Sequence, residues 1–296
     1  MTGNVSLPEV VLHQDDVGMC HGANTAFVEL SRFGTITSGS VMVPCPWFLE
    51  VAEVAAADAL LGDRGLDLGV HLTLTAEKQH YKWGPLTRPT AAAGLTDANG
   101  YFFSDVSSVR RNAHPDAVEA EFRAQIERAL AVGIDVTHLD AHMGAALAPE
   151  FCDAYIRAGV DFRLPMLLTA DITAYAPNNH LVGVDQSTFA PFVERAAAAG
   201  VPVFDRVMET DWNRTDPPGP AYERLIGSCT DAMTFICLHP NAPGELEFIE
   251  PTSSYIRTDE YNVFRSTGYR GWLAGLSIAP IGMREVRERF RNAPSR

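Results

Sequence analysis

The chain has 296 residues, 46% of them hydrophobic, and sets 23 Lys and Arg against 37 Asp and Glu for a formal charge of −14. That balance suits a globular protein with a sizeable core, and its acidity excludes nucleic acid and anionic membrane as favoured partners, since both are polyanions. No apolar run approaches the ~20 residues that cross a bilayer, the Met1–Val5 stretch lacks the basic and apolar regions of a secretory signal, and five scattered cysteines without a CxxC read as reduced core thiols of a cytoplasmic protein.

Short β-branched runs alternate with helical periodicity along most of the chain. The first strand is expected at Glu9–Asp15. A helix follows over Ala23–Phe33, with Ala23, Ala26, Phe27 and Leu30 on one face and Gly34 as its stop. Further strands are expected at Thr35–Val43 and Leu66–Leu74. A helix over Asp116–Val132 places Val118, Phe122, Ile126, Ala129 and Leu130 together. Then come a strand at Ile134–His142, a helix at Pro149–Ala158, a strand at Val160–Leu167 and a helix at Ser187–Ala199. Strands at Val201–Met208, Met233–His239 and Gly275–Ala279 and a helix at Met283–Asn292 complete the series. About eight such alternations predict an α/β fold whose parallel sheet closes, or nearly closes, into a barrel resembling a TIM barrel. One domain over residues 1–296 is the expected organisation. The stretch 75–115, after the third strand, breaks the rhythm: it is rich in Gly, Pro, Asp and Asn yet carries Tyr81, Trp83, Tyr101, Phe102 and Phe103. So long a loop is expected to act as a lid or substrate-binding insertion, or else to pack against the barrel's side.

The chemistry concentrates at strand ends. Asp15 and Asp16 are adjacent, and side chains alternate across a strand, so both reach one site only where the backbone turns; Gly18 supplies freedom for that turn. Two neighbouring carboxylates repel unless a cation shares them. His71, inside an apolar run, would alone pass for a core histidine. In His138-Leu139-Asp140-Ala141-His142 the period of two puts two imidazoles and a carboxylate on one face, which is costly unless they are solvated, hydrogen-bonded or metal-bound. One Asp, two His and open positions form the usual catalytic metal layout, with the other Asp free as a base. Such a metal lowers the pKa of water and polarises a carbonyl. His239, ending an apolar run, is the candidate acid. Spacing does not choose between His138 and His142 as the second imidazole ligand.

These residues resemble the YdjC/ChbG-type carbohydrate deacetylases. Asp15-Asp16-Val17-Gly18 matches the D-D-x-G opening of that family, Gly34-Thr35-Ile36-Thr37-Ser38 its G-x-[IV]-T-S turn and strand, and Gly69-Val70-His71-Leu72 its G-[LM]-H-[LF] strand. Thr137 to His142 matches T-H-[IL]-D-S-H with Ala141 for Ser. His239-Pro240-Asn241 matches H-P-G but for Asn241, and Arg257 to Glu260 resembles the following R-x-x-E. The resemblance implies a distorted (β/α) barrel that removes acetyl from N-acetylated sugars with one divalent ion, Zn or Mg foremost and Ni or Co compatible. It implies Asp16, His71 and His142 as metal ligands, Asp15 as general base and His239 as acid or substrate partner. His138 and Asp140 would then orient His142 or touch substrate. Arg163, Trp83 and Arg257 are further candidates for contacting substrate or supporting the ligands. A small carbohydrate is the implied partner, and a homodimer is compatible with it.

Where the family continues with further histidines, this chain reads Met143-Gly144-Ala145-Ala146-Leu147. With Asn241, that departure marks a divergent branch whose sugar need not be a chitin fragment. Another amide or a phosphoester on the same barrel, or glycan binding without turnover, are the rival readings. Of the lesser candidates, His13 is expected as a core or pocket-wall residue and His21 as a loop or substrate-facing one. Arg163 and Asp205 are expected as a buried pair or hydroxyl binders. Glu209, Asp211 and Trp212 could edge the pocket. His80, His114, His180, Glu245, Glu247 and Glu250 read as solvated loop residues.

Overall fold

The computed structural model describes residues 6–60, 65–175 and 180–293; Met1–Val5, read above for a targeting signal, lies outside them. Among these residues seven parallel strands form one sheet: β1 (Glu9–Val17), β2 (Ser38–Val41), β3 (Leu68–Leu72), β4 (Leu139–Ala141), β5 (Arg206–Glu209), β6 (Met233–Leu238) and β7 (Ala279–Pro280). Their order is β4-β3-β2-β1-β6-β5, with β7 pairing only the start of β1. The fold is α/β, and the sheet curls into a half-barrel. Residues 165–170 bridge its two edges: Leu139 N–H donates to Pro165 O at 3.0 Å, and Phe204 N–H to Leu168 O at 2.8 Å.

β1 runs through the middle and is buried from Val10 to Val17. Val10, Val11 and Leu12 suit a strand covered on both faces, where a continuous apolar run replaces alternation. On the outside, helix His21–Phe33 buries Ala23, Ala26, Phe27 and Leu30 as its periodicity predicts. Gly34 ends it in the left-handed region at φ 83°, its N–H turned back to the Leu30 and Ser31 carbonyls. Helix Pro115–Ala131 buries Val118, Phe122, Ile126 and Ala129, whereas Leu130, expected on that face, is 44% exposed. The five cysteines are buried and free. Among the described residues no helix is long and apolar enough to cross a membrane.

Two expected strands change character. Val160 to Phe162 extends helix Cys152–Phe162, because the chain stops only at Arg163, whose φ of 53° turns its N–H onto the Gly159 and Val160 carbonyls. Residues 164–168 then make a single bridge, Met166 to Leu139. Gly275, placed at the start of a strand, instead caps helix Thr267–Ala274. The stretch after β3 has a 3-10 turn, Ala91–Ala93, and a short α-helix, Val106–Asn112, and its aromatics Trp83 and Phe102 are buried. Glu121, fully buried in helix Pro115–Ala131, holds this stretch by accepting the N–H groups of Leu86 and Thr87, both at 3.0 Å.

Gly69 sits where no side chain fits: a Cβ there would lie 2.5 to 2.7 Å from three atoms of the buried His138 ring. Gly69→Ala should therefore lower unfolding stability by about 1–3 kcal/mol, the usual cost of overpacking, read as a reduced denaturant midpoint at unchanged slope.

Candidate active site and metal centre

The carboxyl ends of β1, β3, β4, β5 and β6 converge on a cavity of about 450 Å³, lined by Asp15, Asp16, His71, His142 and His239 among others. β1 delivers both aspartates through a bend. Asp16 has φ 61°, in the left-handed region that L-residues other than Asn and Asp seldom adopt, and the register with β2 shifts between Gln14 and Val17. The predicted turn thus occurs at Asp16 itself, ahead of Gly18 at φ 82°.

Below the cavity the interior of the half-barrel is polar. Asp140, on β4, accepts from His71 Nδ1 at 2.7 Å, from the Ser40 hydroxyl at 2.7 Å and from His13 Nε2 at 3.0 Å. Burial would raise its carboxyl, but His71 and His13 hold it well below the ordinary range. By taking Nδ1–H of His71, Asp140 leaves Nε2 of that ring aimed at the cavity, as orienting carboxylates do for metal-bound imidazoles. On the far side His142 faces Glu77, its Nε2 lying 3.0 Å from Oε2. Its Nδ1 lies 3.1 Å from Asp16 Oδ1 and 3.3 Å from His71 Nε2, and the third edge, His71 Nε2 to Asp16 Oδ1, is 3.4 Å.

Those three donors fit one ion. Donors bonded at ~2.1 Å lie roughly 3.4 Å apart in tetrahedral geometry and about 3.0 Å apart at octahedral right angles. The set Asp16, His71 and His142 is buried and mixes one hard oxygen with two imidazoles, a combination suited to a divalent cation. Burial opposes charge on both rings, yet Asp140 raises the His71 pKa well above the usual value, and Glu77 and Asp16 raise that of His142. The cluster thus favours positive charge at this spot. Asp16 has its second oxygen on Arg257 Nη1 at 2.6 Å; against the effect of burial, Arg257 and both imidazoles hold it well below normal.

Asp15 differs from its neighbour. Its Oδ1 is buried without a hydrogen-bond partner; His13 Nε2, which already faces Asp140, lies 3.4 Å from it. Burial pushes its carboxyl well above the normal range, and Asp140, Asp16 and Glu209 push the same way against His71. Its Oδ2 lies 3.6 Å from His239 Nε2. His239 is held from behind: Nδ1 lies 2.9 Å from the Thr210 hydroxyl, which donates to Glu260 Oε1 at 2.5 Å. That hydroxyl's proton is spent on Glu260, so its oxygen accepts Nδ1–H and His239 turns a lone pair on Nε2 toward Asp15. Burial and Arg257 depress the His239 pKa well below normal, so the ring is neutral.

Not every expected residue arrives here. Arg163 is exposed at a helix end and donates to the Arg291 carbonyl at 2.7 Å, far from the late-strand place expected of it; exposed Asp205 takes the Met233 N–H instead of pairing with it. His138 is completely buried, bonded to the Thr137 hydroxyl at 2.9 Å and packed 4.9 Å from the His13 ring, one layer beneath the cavity. It touches neither His142 nor the cavity wall, and Asp140 orients His71 where His142 was expected. Trp83 stands behind His142 at 6.3 Å and gives its indole N–H to Thr75 O. His180 and Glu250, read as solvated, both line the cavity. Glu250 binds Lys78 at 2.5 Å and Arg257 Nε at 3.3 Å. Glu77, Lys78, Ser40 and Thr210 were missed; Glu77 lies just past β3, in the irregular stretch where only a carboxylate close behind a strand-end histidine would have drawn attention.

The YdjC-like protein family profile matches residues 9–275. The chain belongs to the YdjC-like family. The chain is 37% identical over 159 residues to the carbohydrate deacetylase of Thermus thermophilus, covering 54% of this chain and 53% of that one. It is 30% identical over 160 residues to the carbohydrate deacetylase of Thermoanaerobacter pseudethanolicus, covering 54% and 60%. This YdjC-like chain thus spans little more than half the length of the curated relatives it matches. In fold it resembles a candidate cellobiose-phosphate cleavage protein of Enterococcus faecalis V583, with TM-score 0.75, 19% identity, and 95% and 99% of the two chains covered.

Two measurements follow from this geometry. Because His71 and His142 hold raised pKa values and must be neutral to bind an ion, metal affinity should rise with pH through their titration, and binding should release protons. Calorimetry in buffers of different ionisation enthalpy counts them; zero release would contradict the assignment of these rings. Thr210→Val should move the His239 proton from Nδ1 to Nε2, visible in ¹⁵N NMR of the imidazole, while Thr210→Ser keeps it in place.

Proposed function

We propose that the protein is a metal-dependent hydrolase that removes the acetyl group from an N-acetylated sugar or glycoconjugate. The observation that carries this reading is the juxtaposition of a compact donor triangle, Asp16, His71 and His142, with the free buried oxygen of Asp15. Family membership and relatives named carbohydrate deacetylases support the substrate class. A divalent ion held by the triangle supplies Lewis acidity, making water acidic and an acetyl carbonyl electrophilic.

The chain's own groups manage the protons. Asp15, whose buried Oδ1 is left without a hydrogen-bond partner, serves as the base: it takes a proton from water as the water oxygen bonds to the acetyl carbon. His239 Nε2, 3.6 Å away, receives that proton from Asp15 and passes it to the sugar nitrogen as the C–N bond breaks. The products are acetate and a free amine. Arg257 keeps Asp16 ionised, Asp140 and Glu77 keep the two imidazoles in register, and Trp212, 4.7 Å from the His239 ring, offers an aromatic wall for a sugar face.

The deciding assay is acetate release from N-acetylated sugars by metal-loaded protein, with phosphate release from sugar phosphates run beside it. Chelation should abolish acetate release and re-addition of metal restore it. Asp16→Ala should lose the metal. Asp15→Asn should retain it while kcat falls by ~10²–10⁴, the range for a positioned acid–base group. Acetate production by rigorously metal-free protein, or phosphate release alone, would refute the proposal.

A further inference from the structure

Glu209 ends β5 and lines the same cavity. Its Oε1 is shielded from solvent and has no hydrogen-bond partner, and burial alone pushes its carboxyl up to about 7. A buried acceptor left without a donor is costly, and most such groups in proteins have a partner. Glu209 contributes nothing to the donor triangle, and nothing in the proton path from Asp15 to His239 uses it.

The cations of the cavity are in the opposite state. Among the described residues, Lys78 and Arg257 are the Lys and Arg side chains that line it. Lys78 Nζ is bound by Glu250 at 2.5 Å and by Glu77 at 3.2 Å. Arg257 is bound by Asp16 at 2.6 Å and by Glu250 at 3.3 Å, with its guanidinium 5.0 Å from the Trp212 ring centre. His180, whose pKa burial and His142 both lower, is neutral. A phosphate or carboxylate entering here meets five lining carboxylates, Asp15, Asp16, Glu77, Glu209 and Glu250, and finds both side-chain cations already paired. An incoming N–H or O–H donor meets an acceptor already waiting.

We propose that Glu209 anchors a donor on the substrate, an amine or hydroxyl near the scissile amide, so that the site takes unphosphorylated N-acetylated sugars, amine-bearing ones included, and discriminates against sugar phosphates. This assignment rests on the deacetylase reading above and narrows its substrate class. A site built around a substrate donor rejects analogues that lack it, because its own buried acceptor is then stranded.

The test uses metal-loaded protein and three probes: an N-acetylhexosamine disaccharide, the same sugar with one amine freed, and its 6-phosphate. Acetate release should show kcat/KM at least ~10-fold higher for the unphosphorylated sugars than for the 6-phosphate, the scale of one charge-assisted contact. Calorimetry with the fully deacetylated disaccharide, which needs no turnover, should show binding weakened ~10-fold or more in the near-isosteric Glu209→Gln. Glu209→Lys should narrow or reverse the discrimination against phosphate. Wild-type preference for the 6-phosphate overturns the proposal, and so does a Glu209→Gln protein that binds the amine sugar as tightly as wild type. If no probe yields acetate while the calorimetric preference and its loss in Glu209→Gln hold, the deacetylase reading falls and the anchoring role stands.

Discussion

The site hangs on a bend in the backbone at Asp16. On a straight strand its carboxylate would point away from that of Asp15, into the helical layer. With φ at 61° and a register shift against β2, both carboxylates reach the same cavity. A left-handed residue other than glycine costs on the order of 1–2 kcal/mol. The offset is visible in its partners: Arg257 on one oxygen, two imidazoles at the other. Charge-assisted hydrogen bonds of this kind are the strong ones, so the strain and the electrostatics hold each other in place.

The same barrel then treats its imidazoles in two ways. His71 and His142 touch carboxylates and are raised; His13, His138 and His239 lose more to burial than they regain and are lowered. Within one interior the protein thus keeps cation-seeking rings at the donor triangle and neutral rings beneath and beside it. Asp15 and Asp16, one peptide bond apart, are driven in opposite directions because only Asp16 meets Arg257. Environments that separate the pKa values of neighbouring groups are a common mark of sites that manage protons.

Much of this was legible in the chain. Periodicity and terminal glycines located helices such as His21–Phe33, and the Val-rich run located β1, because burial of one face is written directly in residue order. Asp15, Asp16, His71 and His142 stood out since charged groups at the ends of apolar runs need a reason. Failures arose where tertiary context decides. Val160 and Phe162 look like strand residues but continue a helix, and Arg163 moved to the surface with them. A period of two correctly put His138, Asp140 and His142 on one face, yet said nothing about depth, which alone separates a cavity residue from one packed under it. Glu77, Thr210 and Glu250 lie in segments with no period, where only contacts reveal a role.

Below the cavity, His13, Ser38, Ser40, His71 and Asp140 are hydrogen-bonded to one another, His13 Nδ1 reaching the Ser38 hydroxyl at 2.8 Å. Such a stack knits strands β1 to β4 together through side chains as well as through their ladders. The ring of His71 is therefore oriented from behind by Asp140 and Ser40, so its Nε2 faces the cavity as a preset donor.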